Sequence, residues 1–228
     1  MMGTRRNVSA PAGGVFRLKR TRDVSDHGKG LSVAGHGKAI PKLPELLPYA
    51  ALTVLASCVV IASLVAAPGL PGLFGAVLGL LMLAIAVADA RAFIIPDRLT
   101  LAAFLLALLD TAMLGLPDRP ETIALAVLRG MILGLAFLAL REIYRRLRQR
   151  QGIGLGDVKL AAVAGVWLDW PLIPVAIEIA AVTALLLYAG NQLVLRRPLE
   201  ATAKLPFGLF FAPAIWFCWF IGAVFLQG

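Results

Sequence analysis

The chain has 228 residues, 60% of them hydrophobic, and a formal net charge of +9. Soluble domains are about 45–50% apolar. The excess here is gathered into runs of about 20 residues, long enough to span a bilayer, which excludes an ordinary soluble domain and indicates a polytopic membrane protein. The two cysteines, Cys58 and Cys218, are far apart and form no CxxC pair, so no disulfide framework and no zinc site of the usual spacing is expected.

Residues 1–46 are rich in Gly, Arg, Lys and Ser and hold both histidines, His27 and His36. This composition predicts a disordered basic cytoplasmic tail. The first apolar run begins near Leu47 and is long, which predicts an uncleaved first span instead of a short signal peptide. From residue 47 to 228 we expect one membrane domain with seven candidate spans: 47–67, 71–90, 98–116, 121–141, 152–170, 171–194 and 207–227. "APGLPG", "GLPDRP" and "DWP" punctuate them. Backbone in lipid must satisfy its own hydrogen bonds, and no barrel-type alternation is present, so the expected fold class is all-α.

Orientation follows from Lys and Arg. With the amino terminus in the cytoplasm, nine fall in the tail, two in 91–98, six in 141–159 and three in 195–206, so twenty of the 22 lie inside. The basic residues are spread over separate loops. They read as a topology signal and a contact for anionic lipid, not as a nucleic-acid surface. Arg141, Arg145, Arg146, Arg148 and Arg150 anchor the fourth span at that face, with Glu142 solvated among them.

The fifth span is unusual. Only eleven residues, Val158 to Leu168, precede Asp169, so crossing would require the helix to begin near Gly152. That start puts Asp157 about 7 to 8 Å below the cytoplasmic edge. Asp89 closes the second span at the same face, in "AVADARAFIIPDRLT", so two carboxylates from different spans share a depth. Asp97, after Pro96, is expected to cap the third span. Farther out, Asp110, Arg129 and Glu178 fall at similar depths in three spans and are expected to form a structural charge cluster around Arg129.

Elimination narrows the chemistry. The spans hold no histidine, so a Ser-His or Cys-His nucleophile is not available within them. HExxH, GxSxG and the glycine patterns of nucleotide sites are absent. The acids of the cytoplasmic side remain. Two close carboxylates share a proton, so one can activate water while the other protonates a carbonyl oxygen, without metal or cofactor. In "GIGLGDVKL", Gly154 and Gly156 would leave room for a peptide beside Asp157. By pattern alone the same stretch serves equally well as a turn that uses Asp157 as a helix cap. Lys159 does not share the helix face of Asp157. It either snorkels to headgroups or tunes the acids and meets substrate.

Three segments together resemble the prepilin leader peptidases, membrane aspartyl peptidases with a GxGD motif. "GIGLGDVKLAAVAGVWLDW" looks like the GxGDxKL stretch and the W-L-x-W after it, "DARAFIIPDRLTL" like D-x6-P-[DN]-x-L, and "KLPFGLFFAPA" like the late P-F-G segment. The resemblance covers about residues 70 to 225. It implies a multi-pass protein of the bacterial inner membrane with Asp89 and Asp157 as catalytic pair. Gly154 and Gly156 would be the motif glycines, and Pro206, Phe207 and Gly208 would border the site. The implied substrate is the basic leader of a type IV prepilin or a type II secretion pseudopilin. Many members carry paired CxxC motifs in an amino-terminal domain and also N-methylate the new terminus. This chain has its basic tail there, so peptidase activity without methyl transfer is the expectation. Asp169 stands where the family commonly has Gly, with little consequence expected. The competing reading is a small proton-coupled transporter using its intramembrane acids. The acids lie near one face instead of the midplane and no inverted repeat is evident, which favours the peptidase.

Overall fold

A computed structural model of the chain describes residues 43–114, 119–148, 152–195 and 206–225. The tail through residue 42, expected to be disordered, lies outside the described residues. Seven helices follow in order: α1 (Leu43–Ala66), α2 (Leu70–Ala92), α3 (Asp97–Leu114), α4 (Arg119–Arg148), α5 (Leu155–Trp167), α6 (Leu172–Leu195) and α7 (Phe207–Phe225). There is no strand among the described residues, and the protein is an all-α polytopic membrane protein.

The seven expected spans become seven helices, but only α1, α2, α4, α6 and α7 are long and apolar enough to cross a membrane. α3 has 18 residues and carries Asp97, Arg98 and Asp110. α5 has 13 residues, about 20 Å of helix, against about 30 Å of hydrocarbon. The reading of 152–170 as a continuous span therefore does not hold. The backbone of Gly154 is extended, and Leu168 is extended after Trp167. Asp157 is thus the third residue of its helix, not a residue one and a half turns in.

A helix too short to span has to be enclosed by others. Leu160, Ala161, Val163, Ala164, Gly165, Val166 and Trp167 are all buried, and α5 packs on α3, α4 and α7. The α4–α5 crossing is a backbone-to-backbone contact. A Cβ on Gly165 would lie 2.7 Å from the Arg129 carbonyl oxygen and 2.8 Å from Gly130 Cα, and one on Gly130 would lie 2.6 Å from Val166 Cγ2. Lipid tails are as apolar as leucine, so helices gain from packing this close, and small residues permit it. At the far end of α5, the Trp167 indole Nε1–H donates to the Ala103 carbonyl of α3 at 2.9 Å.

The other hub is α7, which packs against α1, α2, α5 and α6. Phe211, Ala212, Ile215 and Cys218 fill its buried stripe. The Trp216 Nε1–H donates to Ser63 Oγ of α1 at 3.0 Å. Apolar side chains of α1 and α6, such as Val65, Leu185 and Leu186, point outward, as a lipid-facing surface requires. α4 runs to Arg148, past the expected end at 141. Its added turns are polar and stabilised by Glu142, which pairs with Arg145 and Arg146 at helical spacing.

The α4–α5 crossing gives a stability prediction. Overpacking a close contact costs about 1–3 kcal/mol, so Gly165→Ala should lower the thermal midpoint of the detergent-purified protein. Gly190→Ala, where an added Cβ meets nothing within 4 Å, should leave it unchanged. Equal midpoints for the two variants would count against this packing.

Candidate active site

The site is built where three helices begin or end. Asp89 lies in the last turn of α2 and is buried. The helix stops four residues later because Phe93 adopts a left-handed conformation (φ 53°) and its N–H donates to the Asp89 carbonyl oxygen at 2.9 Å. Positive φ is uncommon outside glycine and is held only where the surroundings enforce it. The Asp89 side chain reaches the first turn of α7, where the Leu209 N–H donates to Oδ2 at 3.0 Å and the Gly208 backbone also bonds it. The first turn of a helix has free N–H groups and the positive end of the dipole. Pro206 precedes that turn and has no N–H to satisfy.

Asp157 lies in the first turn of α5 and is half-buried. Its Oδ2 accepts the Gly154 N–H at 3.2 Å. This is half of a capping box, since glycine has no side chain to complete it. Each of the two carboxyl groups therefore sits at the amino-terminal end of a helix, Asp157 on its own and Asp89 on α7.

Ile95 joins the two ends. A Cβ on Gly156 would lie 2.8 Å from Ile95 Cβ. One on Gly208 would lie 2.8 Å from Ile95 Cδ1 and 2.9 Å from Asp89 Oδ2. The two glycines therefore let the first turns of α5 and α7 close on one buried isoleucine and on Asp89. Phe207 stacks toward Phe211 with ring centres 5.3 Å apart. Of the P-F-G segment, Gly208 lies against Asp89, while the Phe207 ring turns to Phe211. Gly154 and Gly156 flank the start of α5.

Two features of the site differ from expectation. Lys159 has a partner that the sequence did not indicate: its Nζ donates to Asp97 Oδ1 at 2.6 Å. Asp97 opens α3 with its charge in the first turn, but its carboxylate bonds Lys159 and not the first-turn N–H groups. The Pro96 carbonyl accepts the Leu99 and Thr100 N–H groups at 3.1 and 3.2 Å instead. Sequence reasoning also missed Ile95, Arg141 and Tyr144. Arg141 Nε donates to the Ile153 carbonyl at 3.2 Å, and the Tyr144 ring covers Gly152. α4 thereby grips the loop that enters α5. Arg141 was visible only as one of several topology charges, and nothing local marks its partner.

The outer charges are arranged otherwise than expected. Arg129 pairs with Asp169, at the α5–α6 junction, not with Asp110 or Glu178. Asp169 ends the buried α5 stretch one residue beyond Leu168, which brings it over the α4–α5 crossing where Arg129 sits. Its carbonyl also receives the Leu172 N–H at 2.9 Å as α6 begins. Asp110 is half-buried and Glu178 exposed, and neither is part of an ion pair among the described residues.

These features define an integral-membrane helical protein with two acids brought together by the first turns of two helices. The chain belongs to the type IV leader peptidase family, whose model matches residues 76–189. It is 30% identical over 165 residues to a prepilin leader peptidase/N-methyltransferase of Aeromonas hydrophila, covering 72% of this chain and 54% of that protein. It is 34% identical over 125 residues to the protein of that name from Klebsiella pneumoniae, covering 55% and 53%. Against the one from Escherichia coli strain K12 it is 31% identical over 122 residues, covering 54% and 52%. The chain thus spans about half the length of the curated relatives it matches. No solved structure matches it.

The reassigned ion pair has a measurable consequence. The Asp169 carboxylate is largely exposed, but the Arg129 side chain is largely buried, and leaving a buried charge without its partner is destabilising. Asp169→Asn should therefore lower the thermal midpoint clearly, and Asp110→Asn should not lower it, having no cation to release. A large loss on Asp110→Asn would restore the Asp110–Arg129 pairing expected from sequence.

Proposed function

We propose that the chain is a membrane aspartyl endopeptidase that removes the basic leader from type IV prepilins or type II secretion pseudopilins at the cytoplasmic face of the bacterial inner membrane. The observation that carries this reading is the convergence of two helix starts on Ile95, the α5 start that bears Asp157 and the α7 start that binds Asp89. The charge-based topology supports the cytoplasmic placement, with twenty of 22 basic residues on that side.

The chemistry follows from two carboxyl groups sharing one proton. The ionised aspartate takes a proton from water as its oxygen bonds to the scissile carbonyl carbon. The protonated aspartate gives its proton to the carbonyl oxygen, forming a neutral tetrahedral diol. Proton return to the amide nitrogen then lets the C–N bond break. Backbone N–H groups at the start of α7 hold Asp89 in place, so its orientation is fixed before substrate arrives. The glycine approach to Asp157 leaves space for an extended peptide. The substrate's apolar helix would lie in lipid beside the bundle, with its basic leader at the anionic membrane surface. Methyl transfer by this chain is not expected, since no CxxC pair occurs in it.

The test is co-expression with a prepilin, read as the mass of the precursor. Wild type should produce a product shorter by the leader and carrying no added methyl group. Asp89→Asn and Asp157→Asn should each leave the precursor intact while remaining folded, because an amide can neither accept nor relay the proton. Cleavage persisting in both variants would overturn the aspartyl mechanism. Gly208→Ala, which forces a methyl against Asp89 Oδ2, should slow cleavage at least about tenfold, since a 1 Å misplacement can cost about a hundredfold.

A further inference from the structure

The segment from Asp89 to Asp97 is only nine residues long, yet it meets the first turns of α5 at two points. Buried Ile95 sits against Gly156, and the Asp97 carboxylate holds Lys159 Nζ at 2.6 Å. Gly156 and Lys159 are three apart, so they share a face of α5. Ile95 lies on the α2–α3 connector, and Asp97, two residues on, is the first residue of α3. One contact alone would let α5 pivot about it. Two contacts fix both the distance and the direction of the helix start.

We propose that Lys159 and Asp97 are positioning residues for the proposed peptidase reaction. Their ion pair locks the first turns of α5 to the α2–α3 connector and so sets the separation between Asp157 and Asp89. This rests on the peptidase reading above. The covalent path supports it: Lys159 is two residues from Asp157, and Asp97 is tied to Asp89 through the Phe93 turn and the Ile95 contact. The ammonium bonds Asp97 and is turned from the Asp157 face, so it acts through helix placement and not by contact with reacting atoms. The pair is exposed, with side-chain accessibilities of 47% for Lys159 and 74% for Asp97. Such pairs add little to stability, so removing this one should leave a folded protein. Catalysis is far more sensitive, because it depends on placement within about an ångström.

The experiment measures kcat and KM for prepilin cleavage by purified full-length protein in lipid, alongside its thermal midpoint. Lys159→Met and Asp97→Ala, which removes the acceptor that Asn would keep, are each expected to lower kcat about tenfold, with KM changed less than about twofold and the midpoint nearly unchanged. The double variant should be no worse than either single one, since the second substitution has no pair left to break. Lys159→Arg, which can still reach Asp97, should recover most of the rate. Three results would overturn the proposal: normal kcat in Asp97→Ala, multiplying losses in the double variant, or an effect confined to KM. The first would mean that the pair is not needed, the second that the two residues act independently, and the third that they bind substrate. A wild type that fails to cut prepilin would defeat the peptidase reading itself, a separate outcome seen before any variant is compared.

Discussion

A carboxylate near the core of a membrane protein has to find hydrogen-bond donors inside the protein, because lipid offers none. Side chains could supply them, but here the backbone does. Asp89 is buried and takes N–H groups from the first turn of α7. Asp157 takes the Gly154 N–H before α5. Helix starts have unpaired donors by construction, and their dipoles favour negative charge. Much of the architecture follows from this need: α7 must begin beside the end of α2, and α5 must begin beside both.

That placement explains why α5 is short. A helix that starts at the site and ends after 13 residues cannot reach the far surface, and its exposed ends would be costly in lipid. α3, α4 and α7 enclose it instead. The enclosure depends on glycine, since Gly130 and Gly165 allow two backbones to touch. The far end is then closed by Trp167 on the Ala103 carbonyl and by Asp169 on Arg129. The charge pair and the indole bond both act where α5 stops and its last carbonyls need nearby polar structure.

The site and the crossing share one design. Wherever a helix must come within backbone distance of another group, a glycine stands there and a bulky neighbour fills the space beside it. At the crossing the neighbour is Val166, and at the site it is Ile95, lodged against Gly156 and Gly208. These contacts bind the α2–α3 connector, α5 and α7 into one unit around the two acids. The match to the family model, residues 76–189, takes in the α2–α3 connector and α5 of this unit.

Hydropathy and charge determined the class of protein, the helical fold and the approximate helix positions, because lipid leaves the backbone few options and length limits each span. The two acids were legible for a related reason: a carboxylate inside an apolar run costs energy, so Asp89 and Asp157 stood out against their surroundings. What the one-dimensional pattern could not decide was partnership. Arg129 could pair with any acid at its depth, and only the α4–α5 crossing selects Asp169 over Asp110 and Glu178. Lys159 could point to lipid, to Asp157 or elsewhere, and only the closeness of the α3 and α5 starts gives it Asp97. Ile95 had no sequence signal, being one more apolar residue until two glycines close on it. Pairing depends on distances between helices, which are set by packing, whereas insertion depends on each segment's own composition, and that is the part a sequence states outright.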